Sequence, residues 1–197
     1  MHITDYHIVL ASNSPRRKEL LAGLGIDFEV RVLEGIDETY PASLPTADIA
    51  EYISKKKAAA YLATMADDEL LVTADTVVIL GNHVMGKPKD ADDACHMLRE
   101  LSGRTHQVIT GVTLTTRQQQ TSFSVKTDVT FKTLDDAEIA YYVQHYHPMD
   151  KAGAYGIQEW IGYVGVTGLN GSYYNVMGLP VQRIYEALKT FVSGKNA

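Results

Sequence analysis

The chain has 197 residues, of which 45% are hydrophobic and 21% are charged, and its formal net charge is −6. This length and composition predict a single domain over residues 1–197, or two tightly joined lobes around one extended sheet. The negative charge and a sequence pI of about 5.6 argue against general binding to nucleic acid or to anionic membranes.

Strands and helices alternate along the sequence, which begins with a strand in HIVLAS and a helix over 15–24. The later predicted elements are, in order, a strand over 27–33, a helix over 46–65, a strand over 70–80, a hairpin turn at Gly81 and Asn82, a helix over 90–103, two long strands over 105–116 and 121–134, a helix over 135–147, a glycine-rich region over 153–178 and a helix over 181–191. The two long strands flank the polar turn RQQQ and predict an antiparallel pair. The pattern therefore indicates a mixed α/β protein with a long hairpin.

The sequence carries no sign of export or of a membrane anchor. Its N-terminal segment MHITDYHIVLAS lacks the basic and long apolar regions of a signal peptide, and no run reaches the roughly 18 apolar residues of a membrane span. We therefore expect a cytoplasmic protein without a membrane partner. Its one cysteine, Cys95, cannot form an internal disulfide and fits a small core residue better than a reactive thiol.

Two arginines stand in the first turn of the first predicted helix, where the helix dipole disfavours positive charge. They are Arg16 and Arg17 in the segment LASNSPRR. Together with free N–H groups and the hydroxyls of Ser12 and Ser14, their guanidinium groups would form a site for phosphate or carboxylate. The alternative is that both arginines lie on a solvent-exposed helix face, and the local sequence does not decide between the two.

Asp75 is a second residue that does not fit its local pattern. It lies in LLVTADTVVIL, where a carboxylate among apolar residues is costly unless it meets a cation, a metal or several hydrogen-bond donors. This favours a general base or a metal ligand over an aspartate at a strand end that binds a turn. Thr76 either points to the opposite face of the strand or follows Asp75 around its end.

The three lysines of SKKKA differ in their position on the predicted helix. Lys57 lies within about 40° of the apolar residue Ile53, whereas Lys55 points almost the opposite way. Lys57 is therefore predicted to face inward, either on a phosphate or along the edge of the core. Lys55 and Lys56 are expected to be solvated.

Two further segments offer charged groups with weaker patterns. GNHVMGKP matches the start of a P-loop, but Pro88 replaces the Ser or Thr that would hold magnesium, so Lys87 is expected to project into a cleft without a P-loop. The acidic segment EGIDE offers Glu34, Asp37 and Glu38 as oxygen ligands for a hard cation such as Mg²⁺, or forms a solvated loop.

Seven motifs occur in a fixed order between residues 10 and 188: LASNSPRR, IDE, SKKKA, ADTVV, GKP, DKAGAYGIQ and GSYYNVMGLP. Together they resemble the Maf family of nucleoside triphosphate pyrophosphatases. The resemblance implies a fold similar to that of the inosine triphosphate pyrophosphatases, with a long bent mixed sheet, flanking helices and two lobes around a nucleotide cleft. It also implies a house-cleaning hydrolase that converts a nucleoside triphosphate to the monophosphate and pyrophosphate with a divalent metal, Mg²⁺ or alternatively Mn²⁺.

The resemblance implies a role for each residue that matches a motif of the family. Asp75 matches the family's proton acceptor and a metal-associated carboxylate, and Glu38 matches an acidic residue near the metal. The residues that match the lining of the triphosphate site are Ser12, Arg17, Lys57 and Lys87. The residues that match positions linked to substrate specificity are Arg16, Thr76 and Gln158.

The motifs SPRR and GAYGIQ resemble the subfamily that acts on dTTP and UTP, including modified pyrimidine nucleotides. One departure follows Gln158, where many relatives have glycine and this chain has Glu159 and Trp160. These two residues either alter the base pocket, or they are a surface glutamate and a tryptophan packed between the lobes.

Two alternatives stay open for the function. One keeps the reaction but changes the substrate to 7-methyl-GTP or a purine triphosphate, and the other is a non-enzymatic nucleotide-binding regulator of septum formation. A homodimer is also left open, because a dimer surface cannot be told from other apolar surface in a sequence.

Overall fold

The computed structural model describes residues 4–191, and within this range strands and helices alternate as predicted. The strands are β1 (His7–Leu10), β2 (Glu29–Val30), β3 (Glu69–Leu80), β4 (His83–Met85), β5 (Thr105–Thr115), β6 (Gln120–Phe131) and β7 (Val166–Asn170). The helices are α1 (Pro15–Ala22), α2 (Ile49–Tyr61), α3 (Ala91–Leu101), α4 (Asp136–Tyr146), α5 (Trp160–Gly165), α6 (Tyr173–Met177) and α7 (Val181–Leu188). These elements confirm the mixed α/β class.

The strands of the described range form one mixed sheet in the order β2–β1–β3–β5–β6–β7, with β4 paired to β3. β1 runs parallel to β2 and β3, whereas β4 is antiparallel to β3 and β7 is antiparallel to β6. Four residues connect β5 to β6, and the contacts of Thr113 with Ser122 and of Thr105 with Thr130 follow an antiparallel order. The predicted long hairpin is therefore confirmed.

Several predicted turns and helix starts have the local chemistry that the sequence indicates. Ser14, Asp90 and Asp135 are the N-caps of α1, α3 and α4, and each side chain accepts a hydrogen bond from the backbone N–H three residues further on. Gly81 begins the turn between β3 and β4 with a φ of +61°, which glycine adopts without steric cost.

The predicted strand over 27–33 is wrong in its length, because only Glu29–Val30 pair as β2. Two backbone groups that follow β2 form hydrogen bonds with the hydroxyl of Tyr61. This hydroxyl donates to the carbonyl oxygen of Arg31 at 3.1 Å and accepts from the N–H of Leu33 at 2.8 Å. These backbone groups are satisfied by a side chain, so they need no neighbouring strand.

The predicted helices over 46–65 and 181–191 are shorter in the structure. A 3₁₀ turn at Thr46–Asp48 precedes α2, α2 ends at Tyr61, and α7 ends at Leu188. The glycine-rich region over 153–178 contains α5, β7 and α6, each only five or six residues long. Elements of this length carry too little periodicity for a sequence pattern to detect them.

The described residues form two compact units. The first unit comprises 4–75, 110–125 and 178–191, and the second comprises Thr76–Ile109 and Lys126–Met177. A buried cluster in the first unit contains Val9, Ala11, Ala58, Tyr61, Met65 and Leu71. The larger core of the second unit includes Leu98, Phe131, Ile139, Tyr142 and Ile161, and the half-buried Cys95 packs against it as predicted. Over residues 4–191, no helix has the length and apolar character needed to cross a membrane.

His106 is a buried titratable residue in the core of the second unit. It is 1% exposed, its Nε2 lies 2.7 Å from the hydroxyl oxygen of Tyr155, and its ring meets those of Phe131 and Tyr155 edge to face. Burial lowers the pKa of His106 to about 4, because the charged imidazolium would lose its hydration. The imidazole is therefore neutral in the folded protein at neutral pH.

We predict that His106 makes the protein less stable as the pH falls from about 6.5 to about 4. In this range the unfolded chain binds a proton at His106 and the folded protein does not, so the free energy of unfolding falls. The expected loss is about 3 kcal/mol. Urea unfolding at a series of pH values should show that His106→Gln, which cannot titrate, lacks this component of the slope.

His145→Gln serves as the control, because His145 is exposed on α4 and its Nδ1 contacts the carbonyl oxygen of Tyr141. This variant removes a histidine outside the core and measures the effect of the substitution itself on stability. Equal slopes for His106→Gln and the wild type would contradict the prediction.

Candidate active site

The loop between β1 and α1 fixes two serine hydroxyls at the start of the helix. Ser12 is buried, and its Oγ accepts a hydrogen bond from the N–H of Ser14 at 3.2 Å. Ser14 in turn caps α1 by accepting from the N–H of Arg17 at 3.5 Å, and Pro15 follows as the first helical residue. The loop therefore brings Ser12, Arg16 and Arg17 to one helix N-terminus, as the sequence predicts.

The guanidinium group of Arg17 binds the backbone of two distant segments. Its Nε donates to the carbonyl oxygen of Gly178 at 2.9 Å, and its Nη1 donates to the carbonyl oxygen of Ala74 at 2.9 Å. Burial lowers the pKa of Arg17 below its ordinary value, and the negative charge of Asp75 acts in the opposite direction. Arg17 therefore holds the residue before Asp75 in place, a role that the sequence analysis missed because backbone acceptors leave no sequence signal.

Lys57 joins the two carboxylates that the sequence singles out. Its Nζ lies 2.8 Å from Oδ1 of Asp75 and 3.1 Å from Oε1 of Glu38. The side chains of Lys57 and Asp75 are each only 14% exposed, whereas that of Glu38 is largely exposed. The inward direction predicted for Lys57 is confirmed, and the cation that a carboxylate in this strand requires is Lys57.

The neighbouring pair Lys56 and Asp37 organises the acidic loop. Lys56 donates to Oδ2 of Asp37 and to the carbonyl oxygen of Thr39, both at 2.8 Å, and Asp37 also accepts from the N–H and the hydroxyl of Thr39. The hydrogen bonds from Lys56 and Thr39 hold the pKa of Asp37 well below its usual range. Lys56 is therefore an ion-pair partner, which corrects the expectation that it is merely solvated.

The three acidic residues of EGIDE do not form one cation site. Asp37 binds Lys56 and Glu38 binds Lys57, while Glu34 is exposed. Within residues 4–191, no group of three or more His, Cys, Asp or Glu side chains is arranged to hold a metal ion. Asp75 and Glu38 are the two carboxylates that share a contact with Nζ of Lys57.

Three of the predicted site residues belong to the second unit. Thr76 continues β3 directly after Asp75, so the two side chains point to opposite faces of the strand. Lys87 is exposed between β4 and α3. Since α3 starts only at Ala91, after the N-cap Asp90, this segment is not a P-loop.

Gln158, the third of these residues, is half-buried just before α5. Its Oε1 is buried and has no hydrogen-bond partner among the residues that the structure describes. A buried carbonyl oxygen without a donor is unfavourable, so this atom is suited to accept a hydrogen bond from a ligand.

The two residues after Gln158 are held inside the second unit. Glu159 accepts a hydrogen bond from Tyr142 and lies 3.1 Å from Nζ of Lys151. Trp160 packs against the core of this unit, with its ring centroid 4.8 Å from that of Tyr141. The interpretation of Glu159 as a surface residue is therefore wrong, because its mostly buried carboxylate binds both Tyr142 and Lys151.

The sequence of this chain is similar to that of known proteins over almost its whole length. The family model described as Maf-like protein matches residues 7–191. The dTTP/UTP pyrophosphatase of Phocaeicola vulgatus is 63% identical over 188 residues, which cover 95% of this chain and 97% of that protein. The dTTP/UTP pyrophosphatase of Parabacteroides distasonis is 58% identical over 190 residues, which cover 96% and 98%.

Among solved structures, one similar protein is a nucleoside-triphosphatase, dITP/XTP pyrophosphatase, from Mycobacterium abscessus. Its TM-score is 0.45 and its sequence is 16% identical, with 93% of this chain and 97% of that chain covered.

We predict that Arg17→Lys destabilises the protein by about 2 kcal/mol or more. Lysine keeps the charge but cannot donate from two fixed positions to the carbonyl oxygens of Ala74 and Gly178, so one of these buried acceptors loses its donor. The free energy of unfolding from urea titration measures the loss. Arg16→Lys in the same helical turn is the matched control, and a loss as large for Arg16 as for Arg17 would contradict the assignment.

Proposed function

This chain belongs to the Maf family, and from this premise we propose that it hydrolyses nucleoside triphosphates to the monophosphate and pyrophosphate. Its proposed substrates are dTTP, UTP and modified pyrimidine nucleotides, in keeping with the names of its relatives. The observation that carries the proposal is the contact of one ammonium group, Lys57, with the carboxylates of Asp75 and Glu38.

Asp75 is the proposed proton acceptor for the attacking water. Lys57 donates to Oδ1 of Asp75 and so fixes the orientation of the carboxylate. The other oxygen, Oδ2, is the proposed acceptor of the proton from the attacking water. The hydrogen bond from Arg17 to the carbonyl oxygen of Ala74 fixes the backbone just before it. Two basic residues therefore hold Asp75 in one position, which is what proton transfer in a fixed geometry requires.

Charge neutralisation is the second proposed task of this chain's residues. A triphosphate carries several negative charges, and further charge appears on the leaving pyrophosphate as the bond to the attacked phosphoryl group breaks. The residues proposed to stabilise these charges are Arg16, Arg17, Lys57 and Lys87, with the Ser12 hydroxyl as a further donor.

The carboxylates of Asp75 and Glu38 fit a divalent cation, Mg²⁺ or Mn²⁺, because hard cations take oxygen ligands. Two carboxylates are a typical protein share for Mg²⁺, which completes its coordination with substrate phosphates and water. A bound cation would neutralise charge on the phosphate oxygens. The two acidic residues would hold it, and Glu38, the more exposed of the two, is the one that solvent reaches most easily.

Gln158 is the proposed base-recognition residue, assisted by Arg16 and Thr76. Its buried Oε1 needs a hydrogen-bond donor. Uracil and thymine both carry an N3–H donor, whereas cytosine has an acceptor at this position. An acceptor at Gln158 therefore supports a preference for dTTP and UTP over CTP.

The experiment that tests this function is product analysis with a panel of nucleoside triphosphates and Mg²⁺. We expect pyrophosphate and monophosphate from UTP and dTTP, and we expect Asp75→Asn to reduce this turnover at least about 100-fold, because asparagine cannot accept the proton. Asp67→Asn, which changes an exposed carboxylate, should stay close to wild type.

Two results would overturn the proposal. Turnover limited to purine or 7-methyl-GTP substrates would contradict the pyrimidine preference, and nucleotide binding without any product would contradict an enzyme. Near-normal pyrophosphate release by a folded Asp75→Asn protein would remove Asp75 as the proton acceptor.

We predict that Glu38→Gln raises the Mg²⁺ concentration needed for half-maximal turnover about tenfold, since one of two charged ligands is lost. A magnesium titration at saturating UTP measures the shift. Glu34→Gln is the matched control from the same loop, because Glu34 is exposed and outside the proposed site. An unchanged magnesium requirement in Glu38→Gln would show that Glu38 does not hold the cation.

A further inference from the structure

A lysine is buried in the second unit close to Gln158. The side chain of Lys151 is 9% exposed, and its Nζ lies 3.1 Å from Oε1 of Glu159 and 2.8 Å from Oδ1 of Asp150. Lysine is among the residues that proteins bury least often, and a buried lysine is almost always paired with a group of opposite charge. The carboxylate of Glu159 provides a partner that is itself mostly buried.

Tyr142 completes this network from α4. Its hydroxyl donates to Oε2 of Glu159 and accepts from the N–H of Gly156 at 2.9 Å. Burial, followed by the hydrogen bond to Glu159, raises the pKa of Tyr142, so the hydroxyl keeps its proton and remains a donor. Both oxygens of Glu159 thus have a partner, Lys151 on one and Tyr142 on the other.

The network closes a tight turn whose corner is Gln158. The N–H of Glu159 donates to the carbonyl oxygen of Gly156 at 3.0 Å, which is the hydrogen bond of a four-residue turn with Ile157 and Gln158 in its middle. Tyr142 therefore binds the first residue of the turn through its N–H and the last through its carboxylate.

Gly156 leaves room for the network. A Cβ at this position would lie 2.9 Å from Cδ of Glu159 and 3.1 Å from Cε of Lys151, both closer than ordinary contacts. The glycine, the glutamate and the lysine therefore fit one another in this turn. Gln158 carries a buried Oε1 that has no hydrogen-bond partner in residues 4–191. Because Gln158 lies inside this turn, the contacts that hold the turn also hold the backbone from which this acceptor projects.

We propose that Lys151, Glu159 and Tyr142 form a positioning network that fixes Gln158 for recognition of the pyrimidine base. This inference rests on the proposed function and deepens it. The three residues act through Gln158 and are not catalytic. Glu159 directly follows Gln158 and is the last residue of the turn, so its contacts with Lys151 and Tyr142 hold the turn that carries the proposed base-recognition residue.

The test compares steady-state kinetics of wild type and Glu159→Gln with UTP, CTP and ribose 5-triphosphate, which has no base. Glutamine keeps the size of the side chain but removes the charge that Lys151 and Tyr142 bind. We expect kcat/KM for UTP to fall about tenfold, mainly through KM, with little change for CTP or for ribose 5-triphosphate. The preference for UTP over CTP should therefore shrink.

A double-mutant cycle asks whether Glu159 acts through Gln158. In a Gln158→Ala background, Glu159→Gln should have no further effect on UTP turnover, because the residue that it positions is gone. Glu138→Gln is the matched control: it makes the same change at a partly buried glutamate of the second unit, which pairs with Lys132, and it should leave the base preference unchanged. Tyr142→Phe, which deletes one hydroxyl, gives the same test with a smaller change if Glu159→Gln does not fold.

The outcomes separate this inference from the proposed function. If wild type releases no pyrophosphate from UTP, the function itself is wrong and the inference falls with it. If wild type hydrolyses UTP but Glu159→Gln lowers kcat/KM equally for all three substrates, or adds its full effect to Gln158→Ala, only the positioning network is refuted.

Discussion

The ammonium group of Lys57 is the interaction on which the candidate site depends. A carboxylate in the apolar strand β3 would be expensive without a cation, and α2 delivers that cation by turning Lys57 inward beside Ile53. The same ammonium group contacts Glu38. The side chain of Lys57 therefore links the irregular loop that contains Glu38 to Asp75 of β3. Removing Lys57 would leave two like charges without their common partner.

The features of the site that could be predicted from the sequence are those with a local cause. Asp75 stands out because charge in an apolar run is rare, Lys57 follows from helical geometry, and Ser14 follows from the preference for hydroxyls at helix starts. The mixed class and the long hairpin follow from the same kind of pattern. The structure agrees with the sequence in each of these cases.

The features that escaped prediction depend on residues far apart in the sequence. Arg17 binds backbone carbonyl oxygens, which every residue has, so no side-chain pattern marks Ala74 or Gly178 as its partners. The early end of β2 depends on the hydroxyl of Tyr61, which lies on a helix 28 residues away from Leu33. Glu159 looks like a surface residue until Lys151 and Tyr142 are known to meet it.

The contacts of Arg17 also have a consequence for biosynthesis. The first unit is assembled from three separate parts of the chain, and Arg17 must wait for Gly178, 161 residues later, before its buried guanidinium has both acceptors. The second unit lies entirely between residues 76 and 177 and leaves the ribosome before that residue does. The N-terminal segment, although it is made first, is thus among the last to reach its full set of contacts during synthesis.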